Sequence, residues 1–464
     1  MFNALTTIMQ PFQAIQHFFF IGVAGTGMSA LAQFCAGIGK QVSGSDRYFN
    51  TDAASDTQQK LVQAGIQCFQ QDGTGINSSI DCIVISTAVE ASNPELQKAQ
   101  ALGIPVLKRS ELLTLISNTK KTIAVGGTSG KSTTTAMIFQ ILEHAGLAPS
   151  IISGAGLVRL QQQGLIGNAW VGKGEWLVIE ADESDGSIVN YQPEIGLLLN
   201  LDKDHKEISE LQQLFATFKN NSRYFTVNAS HPLAAPYSSD YAFDFSSTDT
   251  PAGFKADNFI QQGLSCNFTI NGVPFSMHSI GKHNMENALA ATTIAARCGV
   301  SIATSAEALK SYEGIYRRNQ VLGQKNNVWV IDDYAHNPAK VAAAISGVQP
   351  LATKVVAWFQ PHGYGPTRFL RNDFVHEIAA VLRPQDEIWM SEIFYAGGTA
   401  VKDISAEDLI NDLRAKGCQA YFVADRNHLV TALQPHLPQG AVLLLMGARD
   451  PSLDAFAKAV FAAL

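Results

Sequence analysis

The segment KTIAVGGTSGKST, from Lys121 to Thr133, constrains the fold more than any other stretch. An apolar run of strand character breaks at a pair of glycines, and the residues after it have the length and spacing of a helix. A strand that turns through Gly127, Thr128, Ser129 and Gly130 into a helix opened by Lys131, Ser132 and Thr133 reads as a phosphate loop. Its glycines let backbone N–H groups turn toward phosphate oxygens, and the helix N-terminus favours negative charge. Lys131 can pair with β- and γ-oxygens, and the Ser132 hydroxyl can bind Mg²⁺. Val125 stands where the eight-residue pattern has glycine, so the match is to the shorter GTxGK[ST]T form. A plain glycine-rich turn with a solvated lysine is the competing reading, disfavoured by the strand and helix on either side.

The same alternation of apolar runs and helix-length stretches recurs through the chain. HFFFIGV, QVSGSD, DCIVIS and GIPVLK mark a first βα block, closed by a helix through Leu112. KTIAVGG, EWLVIEAD and EIGLLLNLD mark a second, followed by a β-rich insert near FTINGVPFSMHSI and the helix HNMENALAATTIAARCG. VWVIDDY, KVVAWFQP, DEIWMSE, AYFVA and AVLLLMG mark a third. Strands apolar on both faces belong to parallel sheets covered by helices. The expected fold is therefore α/β with three domains: a Rossmann-like N-terminal domain (1–118), a central P-loop ATPase domain with a parallel sheet (119–316) and a C-terminal Rossmann-like domain (317–464).

Composition agrees and excludes several classes. A chain of 464 residues exceeds a single core. With 46% hydrophobic and 16% charged residues it suits a soluble enzyme rather than a disordered or repeat protein. Net charge is −7 and the 33 Lys and Arg are scattered, so no nucleic-acid partner is expected. The six cysteines are far apart, without a CxxC pair, and read as reduced, packed thiols. The start, MFNALTTIMQPFQAIQHFFF, has no basic residue before its apolar part and no run of about 18 apolar residues, so neither signal peptide nor membrane span is expected. The expected compartment is the cytoplasm.

Acids cluster after two strands of the second block: Glu180, Asp182, Glu183 and Asp185 after EWLVI, and Asp202, Asp204 and His205 after IGLLLNL. Neighbouring parallel strands would bring them to the carboxyl edge that carries the phosphate loop, where oxygen ligands suit Mg²⁺. Charges that merely cap strand ends are the bland alternative. In the first block Gly22, Gly25 and Gly27 follow a strand and Asp46 ends the next, which supports a diphosphate or nucleotide at a helix N-terminus. The spacing is GxxGxG rather than GxGxxG, a weak basis for a dehydrogenase. Further on, Asn284 and Asn287 lie about one helical turn apart and can read an adenine edge. Asp333, Tyr334 and His336 sit between a strand and a helix opened by Pro338. Arg317 and Arg318 can reach a phosphate or stand idle in solvent.

GTSGKST, EADESD, NLDKDH, GKHNMENALAA and DDYAHNP, in that order, resemble the Mur ligase family over nearly the whole chain. FIGVAGTGMSALA, VSGSD, STAVEASNPEL and FQPHGY are most similar to its branch that adds L-alanine to UDP-N-acetylmuramate. The resemblance implies an ATP- and Mg²⁺-dependent amide ligase of peptidoglycan precursor synthesis, acting through an acyl phosphate as a monomer or weak homodimer. Carried over by position, Lys131 and Arg318 would meet the ATP phosphates, Ser132 and Glu180 would hold Mg²⁺, and His205 would ligate or support a second ion. Asn284 and Asn287 would face adenine and Asp333 the ribose. Gly22, Gly25, Thr26, Gly27, Met28, Asp46 and Ser86 would hold the UDP-sugar, and Tyr334 and His336 the incoming amino acid.

The chain departs from that pattern at FQPHGYGPTR. Gly363 and Pro366 occupy the two arginine positions of FQPHRYxRT, and Arg368 would substitute only after a loop shift. This leaves the amine open between L-alanine, another amino acid and the peptide L-Ala-γ-D-Glu-diaminopimelate. Lys219 lies near where sibling ligases carry a carbamoylated lysine and reads as a plain surface residue. A nicotinamide oxidoreductase and an ATP-gated UDP-sugar sensor are the competing classes; the first leaves the phosphate loop unexplained and the second the acid cluster.

Overall fold

The computed structural model describes residues 11–49, 54–202, 206–395, 397 and 401–464. The part of the N-terminal segment from 1 to 10, together with Lys203, Asp204 and His205, lies outside the described residues.

Four sheets organise the chain. The first holds β1 (His17–Ile21), β2 (Gln41–Asp46), β3 (Gln67–Gln70), β4 (Cys82–Ile85) and β5 (Val106–Lys108), all parallel, in the order β3-β2-β1-β4-β5. The helix Arg109–Ser117 closes it. The second holds β6 (Lys121–Gly126), β7 (Ser150–Ile152), β8 (Ala169–Trp170), β9 (Trp176–Glu180), β10 (Ile195–Leu198) and β11 (Tyr224–Val227), ordered β11-β10-β6-β9-β7-β8, with only the short β8 antiparallel. The β-rich insert is a separate sheet of β12 (Phe245–Ser246), β13 (Phe254–Gln262), β14 (Ser265–Ile270) and β15 (Val273–Met277). The last holds β16 (Gln320–Lys325), β17 (Val328–Asp333), β18 (Val355–Gln360), β19 (Glu387–Met390), β20 (Gln419–Phe422) and β21 (Val442–Gly447), ordered β16-β17-β21-β18-β19-β20. Only β16 runs antiparallel there, as a hairpin with β17.

Alternating side chains of each strand supply two cores, as the pleat requires. Phe18 and Phe20 join one cluster while Phe19 and Ile21 join another. In the last sheet Val442, Leu444 and Met446 pack on one face and Leu443 and Leu445 on the other. Helices therefore cover both faces, and the chain is a three-domain α/β protein.

The described residues form two compact units. One takes in the first two sheets, running up to Asn258, with residues 268–276 and 285–315; the other takes in 259–267, 277–284 and 316–464. Within the first unit, Asn168 ties the two parallel sheets together. Its amide donates to the Thr26 carbonyl at 2.7 Å and to Ser29 at 2.9 Å, and its oxygen accepts from Gln33 at 2.7 Å. Among the described residues no helix is long and apolar enough to cross a membrane.

Candidate active site

β6 is the central strand of the second sheet, between β10 and β9, and the phosphate loop leaves its carboxyl end. Gly127 (φ +136°) and Gly130 (φ +87°) hold backbone conformations that L side chains rarely adopt. A Cβ at Gly130 would sit 2.6 Å from the Asn287 Oδ1, so the loop fits against that amide only with glycine there. Asn200, just past β10, donates to the Ser129 carbonyl at 3.0 Å and accepts from the Ser129 N–H at 2.8 Å. Thr128 exchanges hydrogen bonds with the backbone of Asp202. The loop is thus tied down before any phosphate arrives.

At the helix start, Lys131 Nζ donates to the Gly127 carbonyl at 2.6 Å and to Glu183 at 2.8 Å. Ser132 donates to one Glu180 oxygen at 2.9 Å, and the other accepts from Ser153 at 2.9 Å and from the Gly154 N–H at 2.5 Å. Register makes this possible, since β9 pairs with β6 and Glu180 lies opposite Val125. Burial raises Asp182, but the charge of Lys131 and the Ser184 hydrogen bonds outweigh it and hold its carboxyl below the usual range. In Glu183 burial wins over Lys131 and the value is raised. Among the described residues no three His, Cys, Asp or Glu side chains converge as a metal cluster. Oxygen donors from Ser132 and Glu180, completed by phosphate and water, are the chemistry Mg²⁺ takes, so these residues fit that ion.

In the first sheet, Gly22 (φ +82°) and Val23 donate through their N–H groups to the Ser45 carbonyl, and Asp46 accepts from the Ala24 N–H at 3.1 Å. Gly25, Thr26, Gly27 and Met28 begin the helix Thr26–Gly37, and Ser86 follows β4 on the other side of β1. The strand order reverses at β1, the switch point where open parallel sheets leave a crevice. Arg109 packs beside Gly27 and pairs with Asp185 at 3.1 Å, which joins this crevice to the acidic segment after β9.

The last sheet gathers a second group. Arg317 forms a buried two-pronged pair with Asp332 at 2.8 and 3.1 Å. Asp333 accepts from the N–H groups of Asn319 and Ala335. Arg318 lies over the Tyr334 ring at 5.0 Å. His336 stacks edge-on to Tyr334 at 5.6 Å and lies 5.8 Å from His362, both as ring centroids. Burial pushes both imidazoles down to about 4, helped by Lys340 at His336 and by Arg449 at His362.

Placement of the remaining expected residues is mixed. Asn287 also accepts from Thr134 at 3.2 Å, and Asn284 donates to the Ile280 carbonyl at 2.8 Å. Arg368 is half exposed and pairs with Asp403 at 2.9 Å, so its guanidinium is already engaged. Lys219 is half-buried, with its ammonium 3.5 Å from the Ser238 carbonyl. Ser153, Gly154 and Asn200 orient the phosphate site and were not anticipated; isolated polar or small residues in loops have no period to mark them.

Comparison with known proteins matches three family models in sequence: Mur ligase family, catalytic domain, over residues 17–121; Mur ligase middle domain over 125–295; and Mur ligase, glutamate ligase domain, over 317–449. The chain is 35% identical over 459 residues to a UDP-N-acetylmuramate–L-alanine ligase of Synechococcus sp., covering 93% of each. It is 32% identical to the protein of that name from Syntrophomonas wolfei, over 93% of this chain and 94% of that one. Among solved structures, the UDP-N-acetylmuramate-alanine ligase of Thermotoga maritima superposes with a TM-score of 0.79 at 24% identity, covering 96% of this chain and 98% of the other. The murein peptide ligase of Psychrobacter arcticus gives 0.68 at 20% identity, over 97% and 98%. A phosphate loop braced by Glu180 and Asn287, together with full-length similarity across all three family models, places the chain in the Mur ligase family of ATP-dependent ligases that form C–N bonds.

Proposed function

We propose that this protein joins the lactyl carboxylate of UDP-N-acetylmuramate to the amine of L-alanine in peptidoglycan precursor synthesis, in the cytoplasm, as a monomer or weak homodimer. The observation that carries the reading is the convergence of Lys131, Ser132 and Glu180 at the carboxyl ends of β6 and β9. The names of the relatives support the substrate pair.

A carboxylate is a poor acyl donor, so the γ-phosphoryl group of ATP is transferred to it first. The amine nitrogen then attacks the acyl phosphate, the C–O bond to phosphate breaks, and inorganic phosphate leaves with ADP as co-product. Residues 127–133 cradle the phosphates, with Lys131 released from Glu183 to meet them; Arg318 contributes a second positive charge. Ser132 and Glu180 would hold Mg²⁺, which when bound neutralises phosphoryl charge, and His205 would ligate or support a second ion. Asn284 and Asn287 face adenine and Asp333 the ribose. Gly22, Gly25, Thr26, Gly27, Met28, Asp46 and Ser86 hold the UDP-sugar, and Tyr334 and His336 line the amine site. These roles divide the chain at 118/119 and 316/317.

Gly363 and Pro366, in place of two arginines, keep two alternatives to L-alanine open, another amino acid and the tripeptide L-Ala-γ-D-Glu-diaminopimelate. The test is phosphate release from ATP and Mg²⁺ with UDP-N-acetylmuramate and, one at a time, L-alanine, glycine, L-serine and that tripeptide, with mass spectrometry of the product. Amide product with L-alanine is expected. Product only with the tripeptide would move the protein to recycling, and failure to bind the nucleotide sugar would overturn the reading.

A further inference from the structure

We propose that Arg449 is the residue that binds the carboxylate of the incoming amine substrate, a proposal that rests on the ligase reading above. Strand register places it. In the order β17-β21-β18, Met446 of β21 lies opposite Asp333 on one side, and Gly447 lies opposite Gln360 on the other. Arg449 follows two residues after Gly447, at the carboxyl edge of the sheet from which the segments carrying His336 and His362 also leave. It follows the middle strand near enough to His362 for its charge to lower that imidazole, whose ring centroid lies 5.8 Å from that of His336.

Three further observations point to an anionic ligand. Arg449 is a non-glycine residue at φ +68°, a conformation that costs of order 1 kcal/mol and persists where surrounding structure or function requires it. Its side chain is exposed and makes no ion pair among the described residues, whereas Arg317 and Arg426 are tied to the buried carboxylates of Asp332 and Asp450, and Arg368 meets Asp403 in an exposed pair. The nearby imidazoles stay neutral at physiological pH, and the His362 Nδ1 is buried without a hydrogen-bond partner among the described residues. A guanidinium beside an unpartnered imidazole nitrogen, with Lys340 and Arg318 adding positive charge at His336, is built for a carboxylate rather than for a second cation. In the loop after His362, Gly363 and Pro366 carry no charge, and Arg368 lies beside Asp403.

The test compares the unaltered protein with Arg449→Gly and Arg449→Lys. Glycine relieves the left-handed backbone, so Arg449→Gly is expected to melt no lower than the unaltered protein. Its KM for the preferred amine should rise about 10- to 100-fold, the loss of one charge-assisted contact, while KM for ATP and for UDP-N-acetylmuramate stays within about twofold. Arg449→Lys should recover part of the loss. The decisive readout is a carboxamide analogue of the same amine: the unaltered protein should strongly prefer the free acid, and Arg449→Gly should treat acid and amide alike. An unchanged acid-to-amide preference, or a rise confined to KM for ATP, overturns the proposal. Hydroxylamine, a nucleophile without a carboxylate, separates the two readings. If the unaltered protein forms no hydroxamate from UDP-N-acetylmuramate and ATP, the ligase reading falls and this proposal with it; if it does and Arg449→Gly leaves the amine KM unchanged, this proposal falls alone.

Discussion

Lys131 donates to the carbonyl of its own loop and to Glu183, so before nucleotide arrives its charge is neutralised by a carboxylate that burial has already raised. Phosphate has to displace Glu183, and Lys131→Ala removes the cation from that exchange. Turnover should fall at least about 10²- to 10³-fold, the usual loss when a charge aimed at the transferring group is deleted. Calorimetric titration should find UDP-sugar affinity within about twofold of the unaltered protein; equal loss of both would sink the separation of sugar and phosphate sites. Glu95 makes a different prediction from the same kind of burial. It is fully buried, accepts from Ser45 at 2.5 Å, has one oxygen without a side-chain partner, and is pushed up to about 7. A carboxyl whose folded value is raised contributes stability that is present below its unfolded value and is lost as pH rises through about 7. Glu95→Gln carries no charge to bury. Its melting temperature should exceed that of the unaltered protein at pH 8 and match it at pH 5, and a gain that did not depend on pH would refute this account.

The helix Thr26–Gly37 depends on a residue far along the chain. Asn168 is buried and makes three hydrogen bonds to that helix. Asn168→Ala removes all three bonds, though Gln33 keeps the Ser29 carbonyl and the Thr26 carbonyl keeps the Ser29 hydroxyl, so urea unfolding should show a loss of about 1–3 kcal/mol. UDP-sugar affinity should weaken with it, because the helix start carries Gly25, Thr26 and Gly27; stability loss with unchanged affinity would separate the helix from sugar binding. Sequence could not reveal this link. The central strands were legible because their burial on both faces leaves continuous apolar runs such as HFFFI, WLVIE and VLLLMG. Short edge strands such as Gln67–Gln70 and Ala169–Trp170 were not, since the first is bounded by exposed glutamines and the second is two residues long, too short to show a period. The phosphate loop was legible because glycine, lysine and serine are each required at fixed spacing. The neighbours of Glu180 and the placement of Arg449 were not, because both depend on which strands become adjacent. β21 enters between β17 and β18 although it comes last in the chain.

Two compact units, each with its own core, should not share one unfolding transition, and their titratable groups make them respond oppositely to mild acid. His336 and His362 belong to the second unit and are held neutral, down to about 4. Unfolded imidazoles take up protons near pH 6.5, so between that value and about 4 the unfolded state binds more protons and stability falls with pH. Asp386, Glu387 and Asp450 of the same unit have lowered values and do not oppose this trend, whereas Asp332, raised by burial, does, one carboxyl against two imidazoles. Glu95, in the first unit, works the other way over the same range. Scanning calorimetry at pH 7 and pH 5 should therefore move the transition of the second unit down while that of the first holds or rises. His362→Gln should blunt the acid shift, and ATP should raise the transition of the unit that carries the phosphate loop, by an amount set by its concentration over its dissociation constant. Lys131→Ala should remove that ATP response and leave the acid shift unaltered. A single transition moving as one under acid, nucleotide and both substitutions would mean that the two units unfold as one cooperative body, and the assignment of these groups to separate units would have no energetic content.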